Sequence, residues 1–126
     1  MKSPGHRQWP EHAVTERALD QRVRVEIDGE VIADSRDVIE VDEDGYPPRF
    51  YFPRTDVEMA KLARTETTTE CPFKGTAHYF SVSAGGQKLD DAVWTYEAPY
   101  EEHRALKDRV AFYEDELPQI RIQRGA

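Results

Sequence analysis

Thr67-Thr68-Thr69-Glu70-Cys71-Pro72-Phe73-Lys74-Gly75-Thr76-Ala77-His78-Tyr79-Phe80-Ser81-Val82-Ser83 is the stretch whose reading decides the fold. Its β-branched threonines favour extended backbone. Pro72 presets φ at the second position of a turn, and Gly75 accepts positive φ at the turn's exit. The stretch therefore reads as a strand, a tight turn and a second strand. In the second strand Ala77, Tyr79 and Ser81 share one face and His78, Phe80 and Val82 the other.

Upstream, Arg22-Val23-Arg24-Val25-Glu26-Ile27 alternates strictly and predicts a half-buried strand, closed by the hairpin signal Asp28-Gly29. Residues 30–35 return as its partner, 38–41 form a third strand, and the acidic stretch 42–48 reads as a loop. Arg49-Phe50-Tyr51-Phe52 is a short aromatic strand stopped by Pro53. Thr55 with Glu58 has the form of a capping box, predicting a helix to about Ala63. Downstream, Ala84-Gly85-Gly86 is a turn and Asp90-Asp91 an acidic turn before a strand at 93–96. Pro99 opens a second helix to about Arg109, with Glu101 and Glu102 at its positive end. Residues 110–113 and 120–122 complete the strands. The fold expected is mainly β, a single compact domain of bent antiparallel sheets, tent-like or sandwich-like, with two short helices. Residues 1–21 read as an N-terminal arm, 22–122 as the β domain and 123–126 as a tail. The arm is either a free extension or a segment docked through Trp9.

The chain has 126 residues, the length of one domain. Seventeen basic residues against 25 acidic ones give a formal charge of −8, which opposes attraction to phosphate backbones and argues against a nucleic-acid partner. No apolar run approaches the ~20 residues that span a bilayer, and residues 1–7 lead into no signal segment, so the expectation is a cytoplasmic protein with no membrane partner. A lone cysteine forms no internal disulfide and no Cys-rich zinc site, which makes structural zinc unexpected. Whether the chain is a monomer or a homodimer stays open.

The candidate site gathers around the Cys71 turn. Cys71 beside Lys74 is either a reactive thiolate or a small apolar wall residue. Lys74 is either a solvated turn charge or an anion contact. Trp94 and Tyr96 share a strand face with Tyr51 and Phe112 as candidate neighbours, a cluster that serves as core or as the wall for a planar ligand. Asp56 begins a helix or sits at the pocket rim with Arg49. His78 belongs to a core edge, and the other histidines show no metal spacing with it. The leading reading is a pocket lined by Tyr51, Cys71, Lys74, Tyr79, Trp94 and Tyr96, with Arg49 and Asp56 at its rim, that binds a small anionic or planar metabolite. The alternatives are an enzyme using Cys71 as nucleophile or redox centre, with Tyr79 as proton donor, and an interaction module using the Trp9 arm or a strand edge.

Several blocks together form a recognisable pattern: Val31-Ile32-Ala33-Asp34-Ser35, Pro48 with Tyr51-Phe52-Pro53 and Asp56-Val57, Cys71-Pro72-Phe73-Lys74-Gly75 with Ala77 and Tyr79, and Ala92-Val93-Trp94-Thr95-Tyr96 with Pro99 and Val110-Ala111-Phe112-Tyr113. Over residues 22–113 this pattern resembles the bacterial domain of unknown function numbered 427, which carries a nucleotidyltransferase-like label. The resemblance implies a compact β domain similar to the Mss-four-like or β-tent architecture. Relatives of that architecture include zinc-bound domains and a methionine sulfoxide reductase. This chain lacks the zinc cysteine pairs and a second, resolving cysteine. A nucleotidyltransferase activity is what the label implies, although no Gly-rich phosphate loop accompanies it and Asp90 and Asp91 are the one candidate pair of metal-binding acids.

Overall fold

The computed structural model describes residues 1–125. The strands, in chain order, are β1 (Val14–Ala18), β2 (Val23–Ile27), β3 (Glu30–Ser35), β4 (Ile39–Glu43), β5 (Arg49–Tyr51), β6 (Leu62–Cys71), β7 (Gly75–Ala84), β8 (Gln87–Tyr96), β9 (Val110–Phe112) and β10 (Ile120–Arg124); one short α-helix, α1 (Pro4–Gln8), precedes them. They form three sheets, ordered β1-β4-β5, β10-β2-β3 and β6-β7-β8-β9, and every strand pairing within them is antiparallel. The mainly β, bent-sheet architecture is as the strand pattern predicts.

The local causes are readable. Val23, Val25 and Ile27 are fully buried on one face of β2, and Asp28 and Gly29, at φ 45° and 89°, make the hairpin turn into β3. Gly75, at φ 125°, ends the turn between β6 and β7, and a Cβ there would meet the Ala98 carbonyl at 3.3 Å. Phe52, just past β5, exchanges two backbone hydrogen bonds of 2.9 Å with Val110, so the first sheet continues into β9 of the third around a bend.

Two apolar cores result. The larger one packs β2, β3 and β10 against Phe80, Val82, Val93 and Phe112, and the smaller one joins Ile39, Val41, Tyr51, Ala77, Tyr79, Trp94, Tyr96 and Ala111. The alternation of β7 divides them as the sequence predicts: Ala77 and Tyr79 face the small core, Phe80 and Val82 the large one.

Three local expectations are corrected. The segments foreseen as helices, 55–63 and 99–109, are helical only as 3₁₀ turns, at Arg54–Asp56 and Met59–Lys61 and at Glu101–Leu106. In the first, no side chain caps the turn, and Val57 is drawn out to bridge Ala33 and bury itself, which breaks the helix in two. In the second, His103 has non-helical backbone (φ −124°, ψ 31°) and its side chain is buried. The Asp90-Asp91 pair is no turn between strands but part of the continuous β8. Asp91, at φ 50°, accepts hydrogen bonds from Thr65 Oγ1 (2.6 Å) and Thr67 Oγ1 (2.7 Å), and its backbone N–H donates to Ser81 Oγ (3.2 Å), stapling the places where β6 and β8 shift register against β7. Within the stretch read as an arm, Val14–Ala18 is an edge strand on β4, and α1 docks on the turn at Pro72.

Phe52 is fully buried and packs edge-on against Phe112, so Phe52→Ala is expected to cost about 3–5 kcal/mol in urea unfolding. Glu97 is held down to about 2 by a hydrogen-bonded pair with Arg64, against a smaller opposing effect of burial, and by Arg54. A lowered carboxylate stabilises the fold above its ordinary value of 4.5 and loses that contribution as pH falls toward 2. Glu97→Gln is therefore expected to flatten the acid limb of stability against pH in that window.

Candidate functional site

On the small-core side the end of β4, β5, the turn from β6 to β7, the face of β8 and Tyr113 line a cavity of about 330 Å³ that opens to solvent. Tyr51, Cys71, Lys74, Tyr79, Trp94, Tyr96 and Arg49 all line it. Asp56 does not: it sits in the first 3₁₀ turn, away from the cavity, with its carboxylate accepting from Ser35 Oγ at 2.6 Å. That placement corrects the expectation that Asp56 and Arg49 share a rim, and it follows from Pro53 turning the chain away from the small core.

Lys74 is buried rather than a solvated turn charge, with its side chain 7% exposed. The turn projects it inward, where Nζ donates to Glu43 Oε1 at 2.7 Å; Glu43 Oε2 lies 2.9 Å from His12 Nε2. Burial works to raise the Glu43 carboxyl, but the hydrogen bonds from Lys74 and His12 outweigh it and hold the group below the usual carboxylate range. Arg49 likewise has a partner, Asp115 at 2.5 Å, and its guanidinium lies 5.1 Å from the Trp94 ring centroid and 5.4 Å from that of Tyr113. The cations of the cavity wall are thus already neutralised.

The phenols remain. Tyr51 accepts from Trp94 Nε1 at 3.1 Å, which leaves its own O–H free to donate. Tyr79 shares hydrogen bonds with Thr69 Oγ1 (3.0 Å) and Tyr113 (3.1 Å). Among the described residues the Tyr96 hydroxyl has no hydrogen-bond partner. Burial pushes Tyr51, Tyr96 and Tyr113 well above the ordinary phenol range, so all three stay protonated and present O–H donors. Cys71 is half-buried in the same wall.

Glu43, His12 and Tyr113 also line the cavity, and sequence reasoning did not place them there. A signal existed for two of them. Glu43 continues the alternation of Ile39 and Val41, and Tyr113 that of Ala111, and in each case the residue two positions earlier belongs to the small core. Among the described residues no three His, Cys, Asp or Glu side chains converge in a metal-holding group, and no helix is long and apolar enough to cross a membrane.

Glu43→Gln leaves the Lys74 ammonium buried without its counter-charge, and is expected to cost about 3–5 kcal/mol in urea unfolding. The double change Glu43→Leu with Lys74→Met removes both charges and is expected to cost clearly less than the single change.

The family described as Domain of unknown function (DUF427), with the short name NTP_transf_9, matches residues 15–123. No curated protein matches the chain at a significant level. The matched span runs from β1 to β10, across all three sheets, and takes in every cavity-lining residue except His12. The chain therefore belongs to the DUF427 family.

Proposed function

We propose that this protein binds a small planar metabolite, one whose carbonyl or carboxylate oxygens accept hydrogen bonds, in the cavity beside Tyr51 and Tyr96. The observation that carries the reading is the pair of unspent phenol O–H groups in an aromatic cavity whose charges are already balanced. A phenol O–H that lines the cavity with no protein acceptor is placed to donate to a ligand oxygen. Trp94, Tyr96 and Tyr113 supply aromatic lining, and 330 Å³ suits a small ligand. Because Lys74 and Arg49 are paired, a negative charge on the ligand is secondary to its shape and acceptor oxygens.

Cys71 serves in this reading as wall rather than nucleophile. The nearby cation that would favour a thiolate is engaged by Glu43.

A thermal-shift screen against small aromatic and heteroaromatic carboxylates and carbonyl compounds is expected to yield a stabilising ligand. Tyr96→Phe is expected to leave the stability of the free protein unchanged, because that hydroxyl has no partner to lose. Tyr96→Phe and Tyr51→Phe are each expected to weaken the ligand by about three- to tenfold, the effect of one neutral hydrogen bond. Equal affinity in wild type and both variants would contradict the reading.

A further inference from the structure

His6 and His103 face each other through their Nε2 atoms at 2.8 Å, and the other ring nitrogen of His103, Nδ1, lies 2.6 Å from Glu16 Oε2. The three residues come from three elements: α1, the 3₁₀ turn 101–106 and β1. His103 is 2% exposed, and its backbone departs from helical geometry. The Glu16 carboxylate requires an N–H at Nδ1, and two ring nitrogens at 2.8 Å hold one proton between them. A second proton would set two N–H groups against each other, with like charges in contact.

The pair sits where residues 1–12 dock on the domain. Gly5 N–H and Ser3 Oγ both donate to the Pro72 carbonyl at 2.7 Å, and Ser3 N–H donates to the Glu102 carboxylate at 2.9 Å. The approach at Gly5 is so close that a Cβ would lie 2.6 Å from the Pro72 oxygen. Farther on, His12 stacks on Phe73, with centroids 4.5 Å apart, and reaches Glu43, so the segment ends in the cavity wall.

We propose that residues 1–12 are an acid-released strap over the turn between β6 and β7, with its end in the cavity wall, latched by the Glu16–His103–His6 hydrogen-bond chain. The latch stands whatever ligand the cavity takes. His6 faces His103 and Glu102 from the 3₁₀ turn, His12 from its own segment and Lys74 from the turn between β6 and β7, while Glu16 of β1 faces His103. Burial, and then His103, hold His6 below its ordinary value of 6.5; His12 and Lys74 add to this and Glu102 opposes it. The docked strap therefore binds fewer protons than the free one. Docking is complete above about pH 6.5 and weakens as pH falls below it. His12 meets Glu43 rather than the histidine pair, so the latch lies at His6.

The test is hydrogen exchange by NMR on the full chain, corrected for intrinsic rates, from about pH 7.5 to about pH 5. Protection of the Gly5 amide is expected to be lost progressively below about pH 6.5 while that of Val82, in the central strand β7, holds. His6→Gln, which does not titrate, is expected to abolish the pH dependence at Gly5. Constant Gly5 protection, a fall in parallel with Val82, or a pH dependence that survives His6→Gln would each overturn the proposal. Should His6→Gln leave the strap undocked at every pH, the His6 ring titration in the wild-type protein decides: its midpoint coincides with the loss of Gly5 protection, or the proposal fails.

Discussion

The ion pair between Lys74 and Glu43, closed at 2.7 Å with both side chains largely out of water, is the interaction on which the arrangement of this molecule depends. It joins the end of β4 in one sheet to the turn between β6 and β7 in another, across the cavity. An ammonium in that position without a carboxylate would be strongly unfavourable, so the two sheets are held at the separation the pair requires. The same carboxylate meets His12, and the same turn offers its Pro72 carbonyl to Ser3 and Gly5. One buried charge pair thus sets the cavity wall and the landing site of the N-terminal segment together.

Neutralising the cations in this way shapes the chemistry of the cavity. Lys74 and Arg49 would make it an anion site if they were free, but each already has a carboxylate. What the cavity offers a ligand is flat aromatic surface and phenol hydroxyls that burial keeps protonated. In the proposed function such a lining would discriminate by shape and by the placing of acceptor atoms, since a ligand without an oxygen near Tyr51 or Tyr96 would leave both donors without an acceptor.

Much of the fold is legible in the amino-acid sequence because its signals are local. The alternation of Val23, Val25 and Ile27, the Asp28-Gly29 turn and the Pro72–Gly75 turn each act within a few residues and appear where they are read. The two short helices are present, but shorter than their local pattern predicts, for the opposite reason. Thr55 and Glu58 have the spacing of a cap, but the burial of Val57 against Ala33 is a tertiary demand that no local pattern displays. The edge strand Val14–Ala18 was hidden because an edge needs little apolar alternation, and its residues are half or fully exposed. At the site, the aromatic residues and Lys74 were found because bulky side chains on one strand face must converge. Glu43 and His12 escaped because an acid in an acidic loop and a histidine in an arm look solvated until a buried lysine and a phenylalanine are seen to need them.

The most direct test of the central claim is a crystal structure of protein carried from the cell to the crystal without unfolding or ligand stripping. The account predicts density for a flat molecule against Trp94 and Tyr96, with an oxygen within hydrogen-bonding distance of the Tyr51 or Tyr96 hydroxyl and with the Lys74–Glu43 pair intact. A cavity filled only by ordered water, or a ligand that takes Lys74 away from Glu43 and leaves both phenols unbonded, would contradict it.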